Sequence, residues 1–188
     1  MNNHLNCILR RIGFVKRLAT PLLAAVVLAA CGGGNGGGIG SAQTDKDRIA
    51  VLEAQGKLPK LDRSADLKGP DLNSDGVRDD IEAILKAKYQ GKQLAATVQF
   101  ARSYRPVFDL PEGDRVAAQT VSNQGTRAMK CLHRKFDGET LETNPSVVSR
   151  QIVAMTFNTK ERLKTYMRYN ATLSGSVLSL PDGDTCEE

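Results

Sequence analysis

Beyond residue 44, short apolar repeats at helical spacing alternate with polar segments rich in glycine, proline and aspartate. Thr44 and Asp47 make a capping-box pair ahead of Ile49, Leu52 and Ala54, and Gly56 ends that run. Ile81, Ile84, Leu85 and Tyr89 share one face of a second helix. Leu94, Val98, Ala101 and Tyr104 share one face of a third, which Pro106 stops. Pro111 and Gly113 break the chain again. From Asp114 to about Lys135 the apolar markers are Val116, Val121, Ala128, Leu132 and Phe136, while Ser122, Asn123 and Gly125 weaken the middle and allow a kink. Asn144-Pro145 starts another helix, with Val148, Ile152 and Met155 on its face. Asn158 with Glu161 caps the last, which carries Leu163, Tyr166, Met167 and Leu173 and ends at Gly175. Almost nothing alternates with the period of a strand. The expected fold is mostly α, a compact bundle of about five to six helices.

One apolar run breaks the helical spacing. Leu18 to Ala30 is continuously apolar or small, follows Arg10, Arg11, Lys16 and Arg17, and is short for the roughly 20 residues a membrane span needs. Charge, a short apolar core and small residues are the layout of a secretory signal. The run ends Leu28-Ala29-Ala30-Cys31, which resembles the lipobox of bacterial lipoproteins. That resemblance implies a signal peptide over 1–30, cleavage before Cys31, and lipid (diacylglycerol with palmitate) on Cys31. Gly32, where an Asp favours inner-membrane retention in such lipoproteins, implies export to the outer membrane, on its periplasmic or surface face. Residues 31–43, the lipidated cysteine and "GGGNGGGIGSAQ", read as a flexible tether with an r.m.s. reach of roughly 20 Å. Residues 44–188 are then the folded domain.

Removing the signal changes the charge picture. The chain has 26 Lys and Arg against 21 Asp and Glu, a net +5; four of the basic residues precede Cys31, leaving 22 against 21, or +1. Nucleic-acid binding needs a concentrated basic surface and is not expected. The cluster Arg127, Lys130, Arg134 and Lys135 reads as a solvated helix face.

The stretch "GPDLNSDGVRDDIEAIL", 69–85, is dense in side-chain oxygens. Counted from Asp71, oxygen donors fall at Asp71, Asn73, Asp75, Asp79 and Glu82, with Gly76 sixth and the Val77 carbonyl seventh. Alternate residues of a tight loop point inward, the glycine permits the turn, and the last carboxylate reaches back from the exiting helix. The spacing resembles the EF-hand loop and also the "DxNxDG" loops of dockerins and thrombospondin type 3 repeats. The resemblance implies one bound calcium ion, Ca2+ preferring six to eight oxygens. Arg78 stands where EF-hands carry an aliphatic residue, and Gly69-Pro70 precedes the loop where they carry a helix. A single structural site, pinning the loop between the first helix and the rest of the bundle, is therefore expected rather than a paired calcium sensor.

Cys7 belongs to the signal and Cys31 to the lipid, so Cys131 and Cys186 remain as a disulfide pair in an oxidising compartment. Basic neighbours of Cys131 face acidic neighbours of Cys186 in sign. No catalytic residues are assigned. His133 is the only histidine after residue 30, and there is no phosphate loop, HExxH, GxSxG or zinc-type cysteine spacing. The expected role is a lipid-anchored binding or envelope-interaction module with an envelope protein partner. The alternatives are a small periplasmic or surface hydrolase, marked by a cleft with paired carboxylates, and an assembly factor docking a partner through a helical groove.

Overall fold

Among the described residues, four of the six α-helices start where an oxygen-bearing side chain meets the free N–H groups of the first turn. Thr44 and Asp47 cap each other's backbone at α1 (Asp45–Ala54). Asp114 accepts from Ala117 N at α4 (Arg115–Lys135), Asn144 from Ser146 N and Val147 N at α5 (Pro145–Thr156), and Thr159 from Arg162 N at α6 (Lys160–Thr172). α2 (Asp79–Lys88) lacks a capping side chain but has Asp79, Asp80 and Glu82 in its first turn and Lys86 and Lys88 in its last, as the helix dipole favours. α3 is Gly91–Arg102, followed by a 3₁₀ turn at Arg105–Asp109. The computed structural model describes residues 44–187, and among them there is no strand. Residues 1–43, on which the expected signal, the lipidation at Cys31 and the tether fall, lie outside the described residues.

α3 is the centre of the bundle and touches α2, α4 and α5. Ile81, Leu85, Phe100, Leu132, Val148 and Ile152 form the main core. A second cluster joins Val107, Val121 and Phe157 to Tyr104, Tyr166 and Tyr169. Phe157 and Tyr166 stack at 4.4 Å, and Tyr104 meets both edge-on.

Four expectations are corrected. α4 runs unbroken for 21 residues; Gly125 does not break it, although glycine costs a helix interior about 1 kcal/mol relative to alanine. No residue of α1 is buried, so α1 lies outside the core and is tied on through Glu53, which bonds Arg63 at 2.7 Å. α6 begins from Thr159, not Asn158. The face of α6 is turned as well: Leu163 and Met167 are 47% and 63% exposed, while Arg162 and Thr165 are buried. Tyr166 packs into the second cluster as the period predicts, but the buried face is centred on Arg162, whose guanidinium donors all find acceptors inside.

Cys131 and Cys186 are joined by a disulfide with Cα atoms 4.9 Å apart. The tail follows charge as expected at one point, where Arg134 pairs with Asp184 at 3.2 Å; Glu187 goes instead to Arg102 on α3 at 3.0 Å. Lys130 donates to Pro181 O at 2.6 Å. Two members of the basic cluster on α4 therefore hold the tail rather than only facing water.

Candidate metal centre

Residues 69–78 turn back into α2, and their side chains build the turn by bonding their own backbone. Asp71 accepts from the N–H groups of Asp75 and Gly76, each at 3.1 Å, and Asp75 from that of Val77 at 2.8 Å. Asn73 accepts from Asp75 N at 3.2 Å, and Asp79 from Leu72 N at 3.1 Å. Asp79 N closes the loop on Pro70 O at 2.9 Å. Ser74 is left-handed at φ 55°, a conformation that costs a non-glycine residue about 1–2 kcal/mol, and these bonds offset it. Gly76, at φ 85°, is required twice over, since a Cβ there would also press to 2.9 Å from Arg102 Cγ.

With both oxygens of Asp71 and one of Asp75 held by backbone N–H groups, the second Asp75 oxygen and Glu82 meet at Asn73. Asn73 Nδ2 lies 3.0 Å from Asp75 Oδ2 and 3.3 Å from Glu82 Oε1, bridging the two carboxylates. Asp71 and Asp79 join the same turn through the bonds above. The Val77 side chain is buried in the core at 2% exposure, which anchors the loop to the bundle. Burial raises the Asp75 carboxyl, but hydrogen bonds from Val77 N–H, with Glu82 and from the Asn73 amide outweigh it, with Arg102 adding, and hold it below its ordinary value. Cations ring the loop: Lys86 sits 2.7 Å from Glu82 and Arg105 3.6 Å from Asp71. Among the described residues no three Asp, Glu, His or Cys groups already form a cage for an ion. The Asn73 amide lies between the carboxylates that an ion would share. The donor set, carboxylate and amide oxygen without nitrogen or sulfur ligands, suits a hard cation of the calcium kind.

Arg78, the unusual eighth residue, is buried at 4% exposure. It bonds Asp80 and reaches Met155 O at 3.0 Å and Thr156 O at 3.4 Å, placing its charge at the carbonyl end of α5. A Cβ on Gly69 would collide with its stem, so this left-handed glycine (φ 65°) lets Arg78 pass. Asp80 also accepts from Asp62 N at 2.6 Å. Asn158 links Arg78 to Arg162, which is wholly buried against Asp62. The loop is thus fastened to the 57–70 segment, α5 and α6, and not to α1. Periodicity could not show this network, because its anchors are single arginines at positions that read as polar.

A cavity of about 350 Å³ lies between α3, α4, α6 and the segment after α6. None of its lining residues is a carboxylate, the feature expected of a hydrolase cleft. His133 is exposed. No helix among the described residues is long and apolar enough to cross a membrane. No family model, curated protein or solved structure matches the chain.

Proposed function

We propose that the chain is a lipid-anchored envelope protein, a binding or interaction module whose loop 71–82 takes one structural calcium ion. The observation that carries the calcium reading is the convergence of the Asp75 and Glu82 carboxylates on the Asn73 amide nitrogen, in a loop whose backbone already orients Asp71 and Asp75. Asp71, Asn73, Asp75, the Val77 carbonyl, Asp79 and Glu82 would hold the ion. The ion would neutralise the acidic cluster and fix the turn that carries Arg78 to α5. It has no step in a reaction here. A second reading, a binding module acting through a groove between helices, is favoured by the uncharged cavity beside α4 and α6.

Calorimetric titration of residues 32–188 should show one calcium site per chain, with a dissociation constant of about 10⁻⁴–10⁻³ M. Because the ion binds the folded form, calcium at 100 dissociation constants should add about 2.7 kcal/mol and raise the melting temperature by several degrees. Magnesium should do much less, since it resists dehydration. Glu82→Gln should remove most of the calcium effect while α2 persists. No heat and no melting shift at millimolar calcium would make the loop a solvated acidic turn.

The anchor is tested separately. Intact mass of the protein extracted from membranes should show a chain beginning at Cys31 with lipid attached, and Cys31→Ser should release it from the membrane. Wild-type protein extracted with an unmodified Cys31 would remove the lipoprotein reading.

A further inference from the structure

The 350 Å³ cavity is lined by apolar, aromatic and uncharged polar residues. Phe100, Val121, Met129 and the rings of Tyr104, Tyr166 and Tyr169 form its walls. Ser122, Thr126 and Asn170 add hydroxyl and amide groups to its lining, and no Lys, Arg, His, Asp or Glu lines it. Its size lies in the range of small-molecule sites and gives room for about ten to twelve non-hydrogen atoms at the ~30 Å³ a water occupies.

Two features keep the space open and bounded. Gly125 faces it from the middle of α4, and a Cβ there would meet only Ser103 Oγ, at 3.9 Å. Nothing steric requires glycine at this point; a larger residue would fill the cavity. The outer wall is the segment after α6, which brings Leu178 and Leu180 over the opening. That segment is held at one end by Arg115 on Ser176 at 3.2 Å, and at the other by Lys130 on Pro181 and the Cys131–Cys186 disulfide.

Three phenols meet at this site, with Tyr166 6.2 Å from Tyr104 and 6.3 Å from Tyr169, ring to ring. Burial raises Tyr104 and Tyr169 above the ordinary phenol value, with each also responding to Tyr166. They stay protonated, offering donors and acceptors with no formal charge. An anion entering here would lose water without gaining a counter-ion.

We propose that this cavity binds an uncharged amphiphile: an apolar chain or ring of about ten to twelve atoms, with one hydroxyl- or carbonyl-type head received by the phenols. The body lies against Phe100, Val121 and Met129, under Leu178. This does not rest on the calcium reading, and neither outcome of the calcium titration bears on it.

The test uses residues 32–188 and 1-aminonaphthalene, a fluorescent probe of about eleven non-hydrogen atoms that is uncharged at pH 8 and small enough for the cavity. Its fluorescence should rise saturably to one site per chain. Decan-1-ol should displace it at a concentration at least tenfold below that of decanoate at pH 8. Gly125→Leu should weaken probe binding at least tenfold without lowering the melting temperature. Leu178→Asp, on an exposed position of the outer wall, should weaken it severalfold while leaving the core untouched. A probe that does not saturate, decanoate displacing as well as the alcohol, or both variants binding like the wild type would each overturn the assignment.

Discussion

Replacing Arg162 by methionine should cost about 3 kcal/mol of stability or more and release the 57–70 segment from the bundle. Arg162 has no exposed surface. Its Nε donates to Leu67 O at 2.9 Å, one terminal nitrogen to Asp62 O and Asn158 Oδ1, and the other to Asp62 Oδ2 and Asp66 O. All five N–H groups of the fork are used. Three of the acceptors are carbonyls of a segment with no regular structure, which the guanidinium joins to α6; Asp62 O is also held by Asn158 Nδ2 at 2.9 Å. Methionine keeps most of the volume but takes the donor from Leu67 O and Asp66 O and leaves Asp62 without its cation. Asp62 is partly exposed, which places the loss near the lower end for broken buried pairs. Lysine, a point charge with three donors, should recover less than half of it. Urea denaturation measures the loss, and limited proteolysis should show new cuts at 57–70. Unchanged unfolding and an uncut segment would contradict this role.

The same pair carries a pH signature. Burial raises the Asp62 carboxyl, but hydrogen bonds from Arg162 and Ser64 outweigh it and hold it below its ordinary value. A carboxyl depressed in the folded state contributes stability above its unfolded pKa and loses it as the pH falls through the folded one. Wild-type stability should therefore fall on acidification below the usual aspartate range, and Arg162→Met should flatten that slope.

Removing the disulfide, as Cys131→Ala with Cys186→Ala, should cost about 4 kcal/mol in the chain-entropy account, the two cysteines being 55 residues apart. At roughly 4 °C per kcal/mol for a domain of this size, melting should fall by some 15 °C. The loss should be concentrated at the tail. Gln99 Nε2 holds Thr185 O at 2.8 Å, and Thr185 Oγ1 holds Arg127 O at 2.8 Å. Without the bridge, these bonds and the contacts of Lys130, Arg134 and Arg102 are all that hold the tail. Reductant added to the wild type should reproduce the double variant. A wild type that melts equally with and without reductant would show that the tail is held by its other contacts.

The helices were legible because they depend on neighbours in sequence. Asp114 and Asn144 cap where they stand, and Ile81, Leu85 and Tyr89 recur at the spacing that buries them. The oxygen-rich loop was legible for the same reason: Asp71, Asn73 and Asp75 bond N–H groups two to five residues away. The cysteine pair followed from counting. Misread were the positions where a distant partner decides. Asn158 is a reasonable cap by local rules, but Arg78, Arg162 and Asp62 O claim its side chain and Thr159 takes the capping role. Leu163 and Met167 have the right period, but burying Arg162 turned them outward.

The sequence by itself determined the helical class, most helix starts, the disulfide partners and the local geometry of the 71–82 loop, because each rests on short-range hydrogen bonds, periodicity or elimination. Only the tertiary structure decided which face of α6 is inside, that α1 lies outside the core, and that α3, α4 and α6 leave a cavity beneath the tail. Those outcomes depend on contacts between residues 50 to 100 positions apart, such as Arg162 with Asp62 and Cys131 with Cys186. A buried arginine is stable only where a folded chain delivers acceptors for all five of its donors, and no local pattern in the sequence encodes that delivery.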